Sequence, residues 1–193
     1  MARAVWREAT GTIPPATLVF LDETSTQVTM TRRRGRARRG QRVVDRVPRN
    51  HGQNVTCLTA ISPTGLHAPC VFEGALDGPL FLQWMRDWLL PELSRGTTIV
   101  LDNLNVHRNP EVRQVVEAAG CFLLFLPAYS PDFNPIELVF AQLKAHLRGL
   151  AARTTAGVTD AIGSGMARLT AAQIRAYYRH CGYLLPEPVT QPS

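Results

Sequence analysis

The chain has 193 residues, of which 45% are hydrophobic and 19% charged, enough to bury the core of one domain and too apolar for general disorder. No stretch approaches the roughly 18 uncharged apolar residues of a membrane helix, and no apolar segment follows the basic N-terminal residues as in a signal peptide. Lys and Arg total 21 against 15 Asp and Glu, giving a net charge of +6 that favours a polyanionic partner.

The first predicted element is a buried strand. Residues 1–16 form a short lead-in, and residues 18–22 are an apolar run that ends in an acid, Asp22. An arginine-rich segment follows at residues 32–42 and contains no acid. Its basic residues are Arg32, Arg33, Arg34, Arg36, Arg38, Arg39 and Arg42.

This arginine segment carries the whole positive excess, because 14 basic residues face 15 acidic ones elsewhere in the chain. Arginine suits bidentate contact with phosphate, so the segment predicts binding to a large polyanion such as DNA. The alternative is a disordered basic loop that is simply solvated.

Three further strands are predicted next, at residues 43–47, 54–61 and 67–72, the last two joined by a turn at 62–65. The apolar period then changes to that of a helix over residues 79–93. Trp84 and Trp88 lie four residues apart in it, and we expect both to anchor the helix in the core.

Strands and helices alternate in the remaining chain. The predicted elements are a strand at 97–101, a helix from Asn109 to Gly120, a strand at 121–126, and helices at 134–150, 155–169 and 171–181. The last ten residues, 184–193, form a flexible tail. This order predicts an α/β domain with helices packed on a central sheet that combines an antiparallel meander with parallel strands.

Three glycines fall inside the predicted helix 155–169, namely Gly157, Gly163 and Gly165. Each costs about 1 kcal/mol relative to alanine in a helix interior. This pattern predicts either a loosely formed helix or a decaying copy of a once functional protein. The four cysteines are far apart with no C-x-x-C pair, so we expect reduced thiols rather than disulfides or a zinc site.

Three carboxylates form the candidate catalytic cluster. Asp22 and Asp102 each follow a predicted buried strand, and Glu137 begins the helix after the next strand. Functional groups gather at strand carboxyl ends in open α/β sheets. Hard oxygen ligands of this kind suit Mg²⁺ or Mn²⁺, and two such ions about 4 Å apart support phosphodiester cleavage.

Each acid also has a structural alternative. Asp22 can cap a turn through Thr24, with Glu23 as the ligand instead, and Asp102 can form an Asx-turn in the following loop. Glu137 has the strongest alternative, because Asn134-x-x-Glu137 with a proline at the first helical position is typical of a capping box. Three other acids are interpreted as surface or turn residues: Asp77, Asp132 and Asp160.

Several ordered motifs resemble the catalytic domain of mariner-superfamily transposases. They are LVFLDET, LDNLNVH and LPAYSPDFNPIELVF, with 34 residues between Asp102 and Glu137. The segment RRRGRARRGQRV and the ending YYRHCGY are similar to the bacterial insertion sequence six-thirty branch. The resemblance extends over nearly the whole chain, with residues 17–183 as the catalytic domain.

The resemblance implies an RNase H-like fold in which Asp22, Asp102 and Glu137 are the DDE triad and hold two Mg²⁺ or Mn²⁺ ions. It implies hydrolysis of one strand at a transposon end and attack of the freed 3′-hydroxyl on target DNA. His107 falls in the DNxxxH motif, where a DNA contact, loop bracing or a purely structural role is open. Asn103 and Asn134 are further accessory candidates.

The implied partners are double-stranded DNA, at transposon ends and target, and a second copy of the chain in the DNA complex, without a membrane. The implied location is cytoplasmic and nucleoid-associated. Relatives carry helix-turn-helix modules before the catalytic domain, and this chain begins where their linker would be, so we expect an upstream helix-turn-helix half as a partner. A catalytically silent DNA-binding fragment that inhibits the full-length enzyme is the alternative.

Overall fold

Five strands form one mixed sheet in the order β3-β2-β1-β4-β5. In this computed structural model, which describes residues 3–103 and 109–185, the strands are β1 (Leu18–Thr26), β2 (Val55–Ser62), β3 (Gly65–Glu73), β4 (Thr98–Leu101) and β5 (Phe122–Phe125). The first three pair antiparallel as a meander, whereas β1, β4 and β5 run parallel. The predicted combination of meander and parallel strands is therefore confirmed.

Helices cover both faces of the sheet. The helices are α1 (Arg3–Gly11), α2 (Gly78–Trp84), α3 (Leu90–Glu92), α4 (Pro110–Ala118), α5 (Pro135–Leu150), α6 (Thr155–Ala167) and α7 (Ala171–His180), with a π-helical turn at Met85–Leu89 between α2 and α3. The core on one face joins α1, α5, α6 and α7 to the sheet, and the core on the other joins α2, α3 and α4. None of the described helices is long and apolar enough to cross a bilayer.

Helix α5 shows how the sequence builds the first of these layers. Its buried residues recur three or four positions apart and pack on β1 in one apolar cluster. They are Ile136, Val139, Phe140, Leu143 and Leu147. Because this face of α5 is fixed against the sheet, the start of the helix is held beside the middle of β1.

The strand predicted at residues 43–47 is wrong. This part of the chain is irregular, and Val44 has 80% of its surface exposed. A strand requires a neighbour for its backbone hydrogen bonds, and residues 43–47 pair with none of the five strands of the sheet. The valines therefore lie in a long exposed excursion, residues 27–54, between β1 and β2.

Trp84 is buried as predicted, but Trp88 is 53% exposed, so its assignment to the core is wrong. The π turn at Met85–Leu89 contains more residues per turn than an α-helix and rotates the side chains after it. Leu89 and Leu90 take the buried positions instead. Trp88 was placed in the core because the prediction used a regular α-helical repeat over the whole of residues 79–93.

The lead-in contains a helix that the sequence analysis missed. Trp6 of α1 is 1% exposed, stacks on Phe133 with ring centroids 6.4 Å apart, and donates its indole N–H to the Tyr183 hydroxyl at 3.3 Å. Residues 3–11 are therefore packed into the same core as α5, although the domain boundary expected at residue 17 stays a prediction.

Helix α6 is continuous despite its glycines. Replacing two of these glycines by alanine should have opposite effects on stability. A Cβ at Gly165 would lie 2.6 Å from Leu143 Cδ1 of α5, whereas one at exposed Gly163 would meet nothing within 4 Å. Gly163→Ala should raise the free energy of unfolding by about 1 kcal/mol through helix propensity. Gly165→Ala should lower it by roughly 1–3 kcal/mol through overpacking. Chemical denaturation of the two variants measures both, and equal effects would contradict this account of α6.

Candidate active site

Asp22 and Asp102 lie at the same level of neighbouring parallel strands. β1 and β4 pair in register as Leu18 with Thr98 and Phe20 with Val100, so the same offset brings Asp22 opposite Asp102. Phe20 and Val100 belong to the core under α5, and side chains alternate along a strand. Both aspartates are therefore directed to the face that α5 covers.

Glu137 joins them from the first turn of α5. One cavity of about 520 Å³ is lined by all three carboxylates. The described residues around it are Asp22, Asp102, Asn103, Leu126, Ala128, Tyr129, Ser130, Pro131, Asn134 and Glu137. The structure thus brings together the three acids that the sequence places 80 and 35 positions apart.

Burial and negative charge raise the pKa of Asp22 to about 8. Loss of hydration is the largest cause, followed by repulsion from Glu23 and Asp102, and a smaller repulsion from Glu137. The backbone N–H of Glu23 donates to Asp22 Oδ1 at 2.8 Å and acts in the opposite direction. The site therefore disfavours the charged form of Asp22 unless positive charge is supplied.

The capping-box alternative for Glu137, in which the Asn134 side chain would cap α5, is wrong. Asn134 occupies the N-cap position of α5 in an extended conformation, but its side chain makes no capping hydrogen bond. Its Nδ2 instead donates to Asp22 Oδ2 at 3.3 Å, and its buried Oδ1 has no hydrogen-bond partner among residues 3–103 and 109–185. Asn134 therefore supports a carboxylate of the site, with a spare oxygen beside it.

The three carboxylates surround the cavity without closing on one point. Within residues 3–103 and 109–185, no three His, Cys, Asp or Glu side chains lie close enough to hold one metal ion. Asp22 is 7% exposed and fixed by two hydrogen bonds, whereas Asp102 is half-buried and Glu137 is exposed. A shared ion would thus require rotation of the two more accessible side chains toward Asp22.

Three further residues singled out in the sequence have different outcomes in the structure. Asn103 Nδ2 donates to the carbonyl of Leu126 at 3.2 Å and so links the ends of β4 and β5. His107 lies outside the described residues. Asp77 caps α2 through the Leu80 N–H, which confirms its interpretation as a structural acid.

The arginine segment is exposed along its length and belongs to the excursion between β1 and β2. Its base is held by Arg153, whose guanidinium donates to the carbonyls of Val28 at 2.9 Å and Met30 at 2.8 Å. Arg32 also donates to the carbonyl of Gly149 at 3.4 Å. Sequence analysis missed Arg153, because a single arginine after a helix carries no local signal of such a contact.

Comparison with known proteins adds a family and a fold. A family profile described as DDE superfamily endonuclease matches residues 17–156. The Transposable element Tc1 transposase of Caenorhabditis elegans is 36% identical over 73 residues, which are 38% of this chain and 27% of that protein.

Two solved structures share the fold. The pre-cleavage Mos1 transpososome matches with a TM-score of 0.70 and 16% identity, over 92% of this chain and 55% of that one. The Mos1 transposase catalytic domain with Raltegravir and Mg matches with a TM-score of 0.63 and 13% identity, over 92% and 83%. These similarities confirm the RNase H-like fold, while the chain spans just over half of the first of these structures.

Proposed function

This chain belongs to the DDE superfamily endonucleases, and on that basis we propose that it is the catalytic domain of a transposase that cuts transposon ends and joins the freed 3′-hydroxyl to target DNA. The observation that carries the proposal is the cavity shared by Asp22, Asp102 and Glu137. It lies beyond the carboxyl end of β4 and beside the middle of β1, which continues past Asp22 to Thr26. The fold alone allows other chemistries, so the proposal depends on this site.

The donor set fits Mg²⁺ or Mn²⁺. All three carboxylates offer hard oxygen ligands, and Asn134 Oδ1, which has no partner in the part of the chain that the structure describes, adds a neutral oxygen beside Asp22. The pKa of Asp22 near 8 indicates that a nearby cation would relieve an unfavourable negative field. Mos1 complexes have been determined with Mn and with Mg, which agrees with this choice of metal.

We propose that Asp22, Asp102 and Glu137 together would hold two such ions. Bound ions would supply Lewis acidity and an activated water at neutral pH. Asn134 and the Glu23 N–H orient the two oxygens of Asp22, so its carboxylate is fixed before substrate arrives. Asn103 keeps the strand end that carries Asp102 in place through Leu126.

Cleavage by the purified chain tests this proposal. We expect nicking of DNA that carries the transposon end only with Mg²⁺ or Mn²⁺. Nicking should also require an upstream helix-turn-helix half. The active complex should contain two copies of the chain bound to DNA. Ca²⁺ should support binding better than turnover. Efficient cutting in EDTA would contradict the proposal, and binding without cleavage under every metal condition would favour the inhibitory fragment instead.

The arginine segment should hold DNA through phosphates, because it offers seven arginines and almost no side chains suited to base readout. A multiple variant should weaken binding to DNA equally for all DNA sequences. It carries Gln in place of Arg32, Arg33, Arg34, Arg36, Arg38 and Arg39. The slope of log K against log salt should fall by about 0.9 for each phosphate that the variant no longer neutralises. Arg86→Gln, on the opposite helical layer, is the control and should leave the slope unchanged. An unaltered slope in the multiple variant would overturn this assignment.

A further inference from the structure

Tyr129 combines full exposure with an unfavourable backbone conformation. Its side chain is 99% exposed, and its φ of 56° lies in the left-handed region. A bulky residue rarely adopts this conformation, which glycine or asparagine would accept more easily. Strain of this kind concentrates at functional sites, where it fixes the direction of a side chain.

The chain directly after Tyr129 is anchored by several contacts, so the exposure of Tyr129 does not come from a loosely attached segment. Arg3 of α1 donates to Ser130 Oγ at 3.2 Å and to Asp132 Oδ1 at 2.8 Å, and its guanidinium lies 4.3 Å from the centre of the Phe133 ring. The Tyr183 hydroxyl donates to the Phe133 carbonyl at 2.7 Å. The ring of Tyr129 is therefore presented to solvent by a braced turn.

Tyr129 also lines the cavity that contains Asp22, Asp102 and Glu137. Among the described residues around that cavity, it is the one aromatic side chain. A DNA strand whose phosphodiester lies at the carboxylates must bring its neighbouring bases past this rim. An exposed aromatic face beside a strand is a stacking platform that accepts any base.

We propose that Tyr129 stacks on an extruded or unpaired nucleobase next to the phosphodiester held at the three carboxylates. The inference rests on the proposed function and adds a residue that positions the strand. Stacking needs the aromatic ring and not the hydroxyl, so Tyr129→Phe should retain it. Tyr129→Ala should lose it, and Tyr129→Gly should lose it while relieving the backbone strain.

The test uses the full chain with DNA that carries 2-aminopurine at single positions beside the cleaved bond, in Ca²⁺ to prevent turnover. Wild type and Tyr129→Phe should quench the probe at one position. The Ala and Gly variants should lose the quenching and bind roughly tenfold more weakly. Tyr129→Gly should melt no lower than wild type, which separates a loss of stacking from a loss of folding.

An abasic site at the quenched position completes a double-mutant cycle. It should weaken wild-type binding by roughly the same tenfold factor and leave Tyr129→Ala unaffected. Equal quenching and affinity in the wild type and the Ala and Gly variants would overturn the inference. It would also be overturned if these variants bound DNA normally and lost only their association with a protein partner. Quenching by a wild type that never cleaves in Mn²⁺, even with the upstream helix-turn-helix half supplied, would instead refute the proposed function alone.

Discussion

Asp22→Asn should abolish DNA cleavage and at the same time raise the melting temperature of the metal-free protein. The pKa of Asp22 is about 8 against an ordinary value of 3.8, and each unit corresponds to about 1.4 kcal/mol. Ionised Asp22 therefore destabilises the metal-free fold by several kcal/mol, and an uncharged amide avoids this cost. At roughly 2–4 °C per kcal/mol, we expect a gain of at least about 5 °C at pH 8.

The amide fits the surrounding hydrogen bonds. Asp22 Oδ1 accepts from the Glu23 N–H, which an asparagine oxygen can also do. The new amide nitrogen would then face Asn134, whose Oδ1 could accept from it after a flip of the side chain. The exchange thus removes a charge and keeps one hydrogen bond between the two side chains, whereas cleavage loses the central carboxylate.

The pH dependence follows from the direction of the shift. Between pH 4 and 8 the folded state retains a proton on Asp22 that the unfolded state releases, so the stability of the metal-free wild type falls as the pH rises through this range. Asp22→Asn should lack this decline. Added Mn²⁺ should stabilise wild type more at pH 8 than at pH 5.

Thermal melts in EDTA and in Mn²⁺, together with a cleavage assay, check these outcomes. Asp160→Asn, at an exposed position of α6, is the matched control and should change neither stability nor activity. A lower melting temperature for Asp22→Asn in EDTA at pH 8, or residual cleavage, would contradict the placement of Asp22 at the centre of the site.

The core of the site was predictable because apolar runs and helix starts leave local signals, although β1 continues beyond Asp22, where the sequence predicted its end. Apolar runs that end at Asp22 and Asp102, and the proline that opens α5 before Glu137, are all visible in the sequence. Family membership agrees with the motifs, while the narrower six-thirty branch stays a prediction. The order of strands then brought these residues to one face.

The errors arose where tertiary contacts override local pattern. Asn134 has the sequence of a capping residue, yet a buried carboxylate 112 positions earlier takes its amide. Trp88 has the spacing of a core residue, yet a π turn rotates it to solvent. Residues 3–11 form a helix whose Trp6 bonds to Tyr183 in the core. Because Tyr183 is far away in the sequence, the local pattern around residues 3–11 gives no sign of this contact.

Glu137→Gln should remove cleavage and strand transfer while leaving stability nearly unchanged. Glu137 is exposed, and it lies in the first turn of α5, where a negative charge stabilises the helix by about 0.3–1 kcal/mol. The same charge raises the pKa of Asp22, so its loss relieves repulsion and offsets the missing helix interaction. Loss of a charged ligand from the metal site should lower activity on the order of a hundredfold or more.

Asn134→Ala is the companion to this variant, and the structure changes what it should do. Because the Asn134 side chain does not cap α5, its removal should affect the orientation of Asp22 rather than the start of the helix. Loss of such a support typically lowers metal affinity 10–100-fold, so excess Mn²⁺ should partly rescue Asn134→Ala and should not rescue Glu137→Gln. A strand-transfer assay over a range of Mn²⁺ concentrations, paired with thermal melts, separates the two. If Glu137→Gln keeps wild-type activity, Glu137 is only an acid in the first turn of α5, and the mechanism based on three carboxylates is wrong.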